Sequence, residues 1–255
     1  MYKKISLILF ILFTAFSNKG FTSQQNTSHP YFKPGFRIGV QTGYKREAIT
    51  HQGDFIVVED LAGVFTGNET TKKRNSLNTS LFGAHAGYDY FIGRFYTALE
   101  LHYRYSPKSN QVSEEVIHIP GGDPVKGKFE QQHAHNIGLS WHLGAIVFPN
   151  FLLYGTFNAH LGCFKYKFKE EPELRNLNAV QHSECNGGVG LGVGGRYALP
   201  NFYSISLEAT YDIYQRANIA QNVSALQDAG LRTNFRTFWS NPRVCNVILK
   251  LSKNF

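Results

Sequence analysis

The chain has 255 residues, enough for one large domain or two small ones. Only 17% are charged, whereas 21 Phe, 14 Tyr and 24 Gly favour strands and turns over helices, and the single long apolar run lies at the extreme N-terminus, which excludes a helical membrane bundle. The formal net charge of +8, about +6 once Lys3 and Lys4 leave with the N-terminal segment, suits an anionic membrane surface; no compact Lys/Arg run points to nucleic acid, and the three cysteines form no zinc-type pair.

The N-terminus reads as an export signal. Met1-Tyr2-Lys3-Lys4 is a basic head, Ile5 to Phe16 an apolar stretch of 12 residues, and Ala15-Phe16-Ser17 a small-x-small site, so residues 1–23 form a signal peptide cleaved after Ser17 or Ser23. The stretch is short of the roughly 20 apolar residues that a helical span needs. A short segment, 24–33, then leads into one domain, 34–255.

From Phe36 onward apolar residues recur at every second position over eight stretches, the pattern of a strand whose two faces meet different solvents. The apolar faces run Phe36 to Tyr44, Phe82 to Tyr90, Phe95 to Tyr105, Ile137 to Val147, Leu153 to Cys163, Val189 to Tyr197, Tyr203 to Ile213 and Cys245 to Phe255. Tight turns join the second to the third at Phe91-Ile92-Gly93-Arg94, the fourth to the fifth at Phe148-Pro149-Asn150-Phe151, and the sixth to the seventh at Leu199-Pro200-Asn201-Phe202. The other links are long, roughly 46–76, 106–134, 166–184 and 215–242. Short turns on one side and long loops on the other predict an all-β, eight-stranded antiparallel up-and-down transmembrane barrel, with short periplasmic turns and four long extracellular loops. A soluble barrel of lipocalin type would put its apolar face inside.

Aromatic residues support the same reading. Tyr88, Phe91, Phe95, Phe148, Phe151, Tyr197, Phe202 and Phe255 fall at short-turn ends, while Tyr44, Tyr103, Tyr105, Phe164, Tyr211 and Tyr214 fall at long-loop ends. Two such rings match the two membrane interfaces.

With its signal peptide, its eight alternating strands and a last strand ending Val247-Ile248-Leu249-Lys250-Leu251-Ser252-Lys253-Asn254-Phe255, the chain resembles the Gram-negative outer-membrane barrels of the opacity-protein and OmpA-like class. The resemblance implies Sec-type export to the outer membrane, and it implies that Phe255 is the handle read by the barrel-assembly machinery. Lys253 departs from the family's usual apolar residue; near an interface its ammonium can snorkel.

Eight strands leave an interior wide enough only for side chains. The inward positions hold Gln41, His85, Glu100, His102, Arg104, His142, Asn158, His160, Arg196, Glu208, Asp212 and Lys250, with Gly188, Gly190, Gly192 and Gly194 leaving room for them. A central polar layer is expected around Glu100, Glu208, His85, His142 and Lys250, paired because unpaired charge in a narrow lumen is costly. If Ile92-Gly93 forms a two-residue hairpin loop, Glu100 stands across from His85, where a carboxylate favours the charged imidazole. The layer is structural in one reading and a gate in the other.

Other motifs are weaker. Gly190-Leu191-Gly192-Val193-Gly194-Gly195 matches a dinucleotide fingerprint literally, but Pro200 and a new strand follow where a helix is required. His133-Ala134-His135 places two imidazoles on one side of a strand, with His118 in the preceding loop, but nothing completes a metal site; neither metal nor cofactor is expected. His182-Ser183-Glu184 has the residue types of a hydrolase, but neighbouring side chains on an extended strand point apart. Cys163 and Cys185 lie symmetrically about the third long link, so a symmetric hairpin would set them side by side, open to a disulfide in an oxidising periplasm, with Cys245 left over.

Function is therefore expected in the loops: a non-enzymatic outer-membrane surface protein whose barrel presents them for contact, adhesion or envelope integrity. The first holds Phe55-Ile56-Val57-Val58 and Lys72-Lys73-Arg74, and the second Val116-Ile117-His118-Ile119 before the turn Pro120-Gly121-Gly122-Asp123; both are long enough to form hairpins above the membrane. Arg216, Arg232, Arg236 and Arg243 make the fourth basic and suited to lipopolysaccharide phosphates. Outer-membrane lipids, a surface or host ligand and the assembly machinery are the expected partners, and nucleic acid is not. A small-solute or ion pore and a lipid A-acting barrel enzyme are the alternatives.

Overall fold

In the computed structural model, residues 31–59, 69–107, 110–117, 125–170, 180–215, 217–219, 231–240 and 242–255 are described. The expected signal peptide, His118 and Arg216 lie outside them. The strands are β1 (Gly35–Glu59), β2 (Glu69–Ile92), β3 (Phe95–Tyr105), β4 (Asn110–Ile117), β5 (Val125–Phe148), β6 (Phe151–Glu170), β7 (Val180–Ala198), β8 (Tyr203–Tyr214), β9 (Ala217–Ile219), β10 (Leu231–Ser240) and β11 (Arg243–Asn254). The one helical segment among the described residues is the 3-10 turn Pro200–Phe202, and no described helix is long and apolar enough to cross a membrane.

Eight strands form a closed antiparallel ring in the order β1, β2, β3, β5, β6, β7, β8, β11, and the pairing of β11 with β1, from Arg37 opposite Asn254 to Ala48 opposite Arg243, closes it. Closure leaves no unpaired strand edge to face lipid. The other three strands stand beyond the ring: β4 pairs the start of β5, β10 pairs the far half of β1, and β9 pairs β10.

These pairings correct the expected loop boundaries. Ladder hydrogen bonds continue well past the apolar band, with β1 and β2 paired as far as Phe55 opposite Glu69, and β6 and β7 as far as Phe168 opposite Val180. Backbone pairing does not need lipid. Beyond the membrane both faces of a strand meet water, so the alternation that marks a strand in the sequence lapses while the strand itself goes on.

Burial is the inverse of a soluble protein's. Along β8 and β11 exposed and buried residues alternate strictly. The outward set is apolar, with Leu191 and Val193 each 67% exposed, while the buried set is dominated by Arg, Lys, Glu, Asp, His, Asn and Ser. Exposed apolar surface on this scale is a membrane face. At the short-turn rim Lys253 Nζ lies 5.4 Å from the ring centroids of both Tyr203 and Phe255, a cation held among interface aromatics.

Turn chemistry sets the register. Ile92 pairs Phe95, so the two loop residues are Gly93 and Arg94, and Gly93 takes φ +61°. Positive φ at the first of two loop residues is the type II′ pattern, which favours glycine there. A small apolar cluster of Phe32, Phe91, Tyr96, Ala98, Ile146, Leu152, Tyr154 and Ala198 stoppers the lumen at this end, with Phe32 5.9 Å from Phe91. The polar interior lies directly above it.

Candidate functional site

Inward positions on adjacent strands meet across the narrow ring, so each level of the lumen is a small cluster from several strands. Just above the apolar stopper, Asp89 of β2 is the acceptor for three donors: Arg196 Nη1 at 2.8 Å, Asn254 Nδ2 at 2.9 Å and Tyr96 Oη at 3.1 Å. Arg196 Nη2 also donates to Tyr96 Oη at 2.5 Å, and its guanidinium lies 5.0 Å from the Tyr96 ring centroid. Arg37 links this level to the next, with Nε 3.4 Å from Asp89 Oδ1 and Nη2 donating to Glu100 Oε2 at 2.9 Å.

The middle level is built on Lys250. Its Nζ donates to Glu100 Oε1 at 2.6 Å and to Glu208 Oε2 at 2.9 Å, and all three side chains are fully buried. Tyr154 Oη donates to Glu208 Oε2 at 3.2 Å, while His142, 3.9 Å from that oxygen, stacks on Tyr154 with centroids 4.8 Å apart. Arg104 Nη2 lies 3.9 Å from Glu208 Oε1. Paired charge of this kind keeps the interior near neutral.

Higher up, Asp212 accepts from Asn246 Nδ2 at 2.7 Å and lies 3.0 Å from His160 Nε2. Asn158 Oδ1 accepts from Thr156 Oγ1 at 3.0 Å, and Gln41 Nε2 donates to the carbonyls of Ala84 and Tyr103 at 3.2 Å. At the long-loop mouth, Asn136 Nδ2 donates to Tyr214 Oη at 2.5 Å, His133 stacks on Phe164 at 4.3 Å, and Gln131 Nε2 donates to Glu47 Oε1 at 2.9 Å. Among the described residues the buried charges are five cations (Arg37, Lys45, Arg104, Arg196, Lys250) and five carboxylates (Glu47, Asp89, Glu100, Glu208, Asp212), so the lumen balances itself without help from histidine.

Two expectations are corrected. Glu100 stands opposite Gly87, while His85 stands opposite His102 and has Nε2 2.8 Å from Ser252 Oγ. With Gly93-Arg94 as the loop instead of Ile92-Gly93, the register moves by two residues, which keeps both side chains inward but changes their partners. His133 and His135 do not share a side. A bulge between them turns His133 inward and His135 outward, where Nδ1 meets Tyr103 Oη at 2.8 Å.

Arg37, Asp89, Tyr96 and Tyr154 were absent from the sequence-based set, though each continues an inward row: Arg37 with Gly39 and Gln41, Asp89 with His85 and Gly87. Cys163 and Cys185 lie opposite each other on β6 and β7 and are joined by a disulfide, while Cys245 is free and exposed. Ser140 and His102 come within 3.1 Å across neighbouring strands, and Ser140 is fully buried. Phe255, 68% exposed, donates its backbone N–H to the Phe36 carbonyl at 2.9 Å on the seam between β1 and β11.

Residues 11–236 match the family described as Outer membrane protein beta-barrel domain. No curated protein matches the chain. Among solved structures it is similar to the outer membrane protease OmpT from Escherichia coli, at 9% identity over 89% of this chain and 100% of that one, with a TM-score of 0.52. It is also similar to Ail, the attachment invasion locus protein of Yersinia pestis, at 16% identity over 88% and 100% of the two chains with a TM-score of 0.36. Neisserial surface protein A is 12% identical over 87% and 97%, with a TM-score of 0.38. At these identities the likeness is one of fold.

Proposed function

We propose, for a chain that belongs to the outer membrane protein β-barrel family and so lies in the outer membrane against its lipids, a non-enzymatic surface role carried by the strands and loops above the barrel. The observation that supports it is the Lys250 contact with Glu100 and Glu208, which spans a lumen already stoppered by the Phe32 cluster. A plugged, internally neutral barrel is a rigid post. What it presents is a wall raised beyond the membrane by β4, β9 and β10 and by the far halves of β1, β2, β5, β6 and β7.

In this reading residues 1–23 direct export, β11 with Phe255 is the strand taken by the assembly machinery, and the basic fourth link, including Arg232 and Arg236 on β10 and Arg243 on β11, faces lipopolysaccharide phosphates. The loops contact a host or surface ligand. The test is planar-bilayer conductance of protein purified from outer membranes, with a heat-dependent gel shift as the folding control. Little or no stable current is expected; a sizeable one gives the function to the lumen instead. In parallel, shortening the first, second and fourth long links is expected to remove cell or matrix binding while the gel shift persists. Undiminished binding overturns the loop role, and acyl release from lipid A by folded protein overturns the non-enzymatic one.

A further inference from the structure

The ring is closed only at the level of the membrane. Between β2 and β3 the ladder ends with Phe82 opposite Tyr105, whereas β2 stays paired with β1 as far as Phe55 opposite Glu69. Along residues 69–81, therefore, β2 has a described ladder partner on its β1 side alone. The strand that takes over from β3 is β4, which continues along β5 from Asn110 opposite Gln131 to Ile117 opposite Val125; it comes near β2 but shares no ladder with it. Above the membrane the described strands thus form two sheets, β9-β10-β1-β2 and β4-β5-β6-β7, and β2 is an edge of the first. Ser76, Asn78 and Ser80, exposed and polar where Phe82 is exposed and aromatic, place this edge in water.

We propose that residues 69–81 of β2 are a docking edge for an extended, acidic segment of another polypeptide, an inference that deepens the surface role given above and rests on it. An unpaired strand edge offers backbone N–H and C=O groups at ladder spacing, and an incoming strand satisfies them by adding to the sheet. The segment contains no proline, so none of its N–H groups is missing. Because the ladder of β4 is with β5, a strand that takes the place beside β2 breaks no backbone pairing. Charge selects the occupant. Lys72, Lys73 and Arg74, opposite Gln52, His51 and Thr50 of β1, are three consecutive cations, and Glu69 is the single acid between 69 and 81. Like charges directly opposite each other destabilise a strand pair, and opposite charges stabilise it. A second copy of this edge, paired about Lys73, sets cation against cation and is turned away; an acidic strand is matched. Within the chain the competitor is β4, which carries Glu114 and Glu115.

The experiment mixes protein purified from outer membranes, folded by the gel-shift criterion, with a labelled peptide of about eight residues, the length of a full strand, that alternates Glu with Thr and Val, and reads binding by fluorescence anisotropy. Saturable binding is expected. It is lost when the peptide is fully N-methylated, which keeps the charge and removes the ladder donors, and lost when Lys replaces Glu in the peptide. Lys72→Glu, Lys73→Glu and Arg74→Glu together are expected to exchange the preference for the Lys peptide, while Arg232→Glu with Arg236→Glu on β10 leaves binding as in the parent. If the triple variant lacks the folded gel shift, the N-methylated peptide and a photocrosslinking peptide, expected to label 69–81, decide the matter on the parent protein. Absence of binding overturns the proposal and leaves the edge to β4; binding kept by the N-methylated peptide, or a crosslink that misses 69–81, overturns it as well. None of these outcomes alters the conductance or the cell binding by which the surface role itself is judged.

Discussion

Lys250 and Glu100 are separated by 150 residues of sequence and joined at 2.6 Å inside the barrel, with neither side chain exposed. Their strands, β11 and β3, are not neighbours in the ring, so the contact crosses the lumen. Lys250 also reaches Glu208, so removing it leaves Glu100 with Arg37 alone and Glu208 with Tyr154 and the more distant Arg104, one buried positive charge short. Lys250→Met is expected to lower unfolding stability by about 3–5 kcal/mol, the usual consequence of breaking a buried pair from one side. Loss of the heat-modifiable band in urea measures it. Adding Glu100→Gln and Glu208→Gln to Lys250→Met is expected to recover most of the loss; a Lys250→Met barrel as stable as the parent would show that the layer contributes nothing.

The outward face predicts a depth-dependent cost for charge. Leu191, 67% exposed in mid-strand, faces the hydrocarbon. Leu191→Arg is expected to cost about 2–4 kcal/mol, whereas Tyr44→Arg at the long-loop girdle costs about 0–1 kcal/mol. Urea midpoints of the two variants in one lipid, compared side by side, check the assigned membrane level.

Gly93 holds φ +61° in the turn between β2 and β3. Gly93→Ala forces a β-carbon into left-handed backbone and is expected to destabilise the barrel by about 1–2 kcal/mol, with Gly93→Asn costing less. Equal effects of the two substitutions would mean that the turn rearranges.

Thiol accounting tests the cysteine pairing. In denaturant without reductant, a maleimide-polymer label is expected to add once, at Cys245, and after reduction three times; Cys245→Ser removes the first addition. Three additions before reduction would show Cys163 and Cys185 unbonded in the protein as exported.

Much of this architecture is legible along the chain because a membrane barrel writes its two solvents onto alternate residues. The apolar rows from Phe36 to Tyr44 or from Tyr203 to Ile213 need no knowledge of partners, and the inward row opposite them announces a polar lumen. Asp89 and Arg37 lie near the ends of their inward rows, Asp89 beyond His85 and Gly87 and Arg37 before Gly39 and Gln41, apart from the mid-strand polar residues although the same period contains them. The strand extensions around Phe55 and Lys167 were illegible for a different reason: the alternation of apolar residues lapses there while the backbone pairing goes on.

By itself, then, the sequence determined which residues face lipid and which face the lumen, since that follows from a period of two and survives any even slip in register. Tertiary structure alone decided who meets whom. The choice of Gly93-Arg94 as the loop put His85 opposite His102 and gave Glu100 to Lys250 and Arg37; a bulge at Ala134 parted His133 from His135; and closure of β11 on β1 brought together groups 150 residues apart. Registers, bulges and closure are set by the summed pairing of whole strands, a property of the ring that no single stretch of sequence carries.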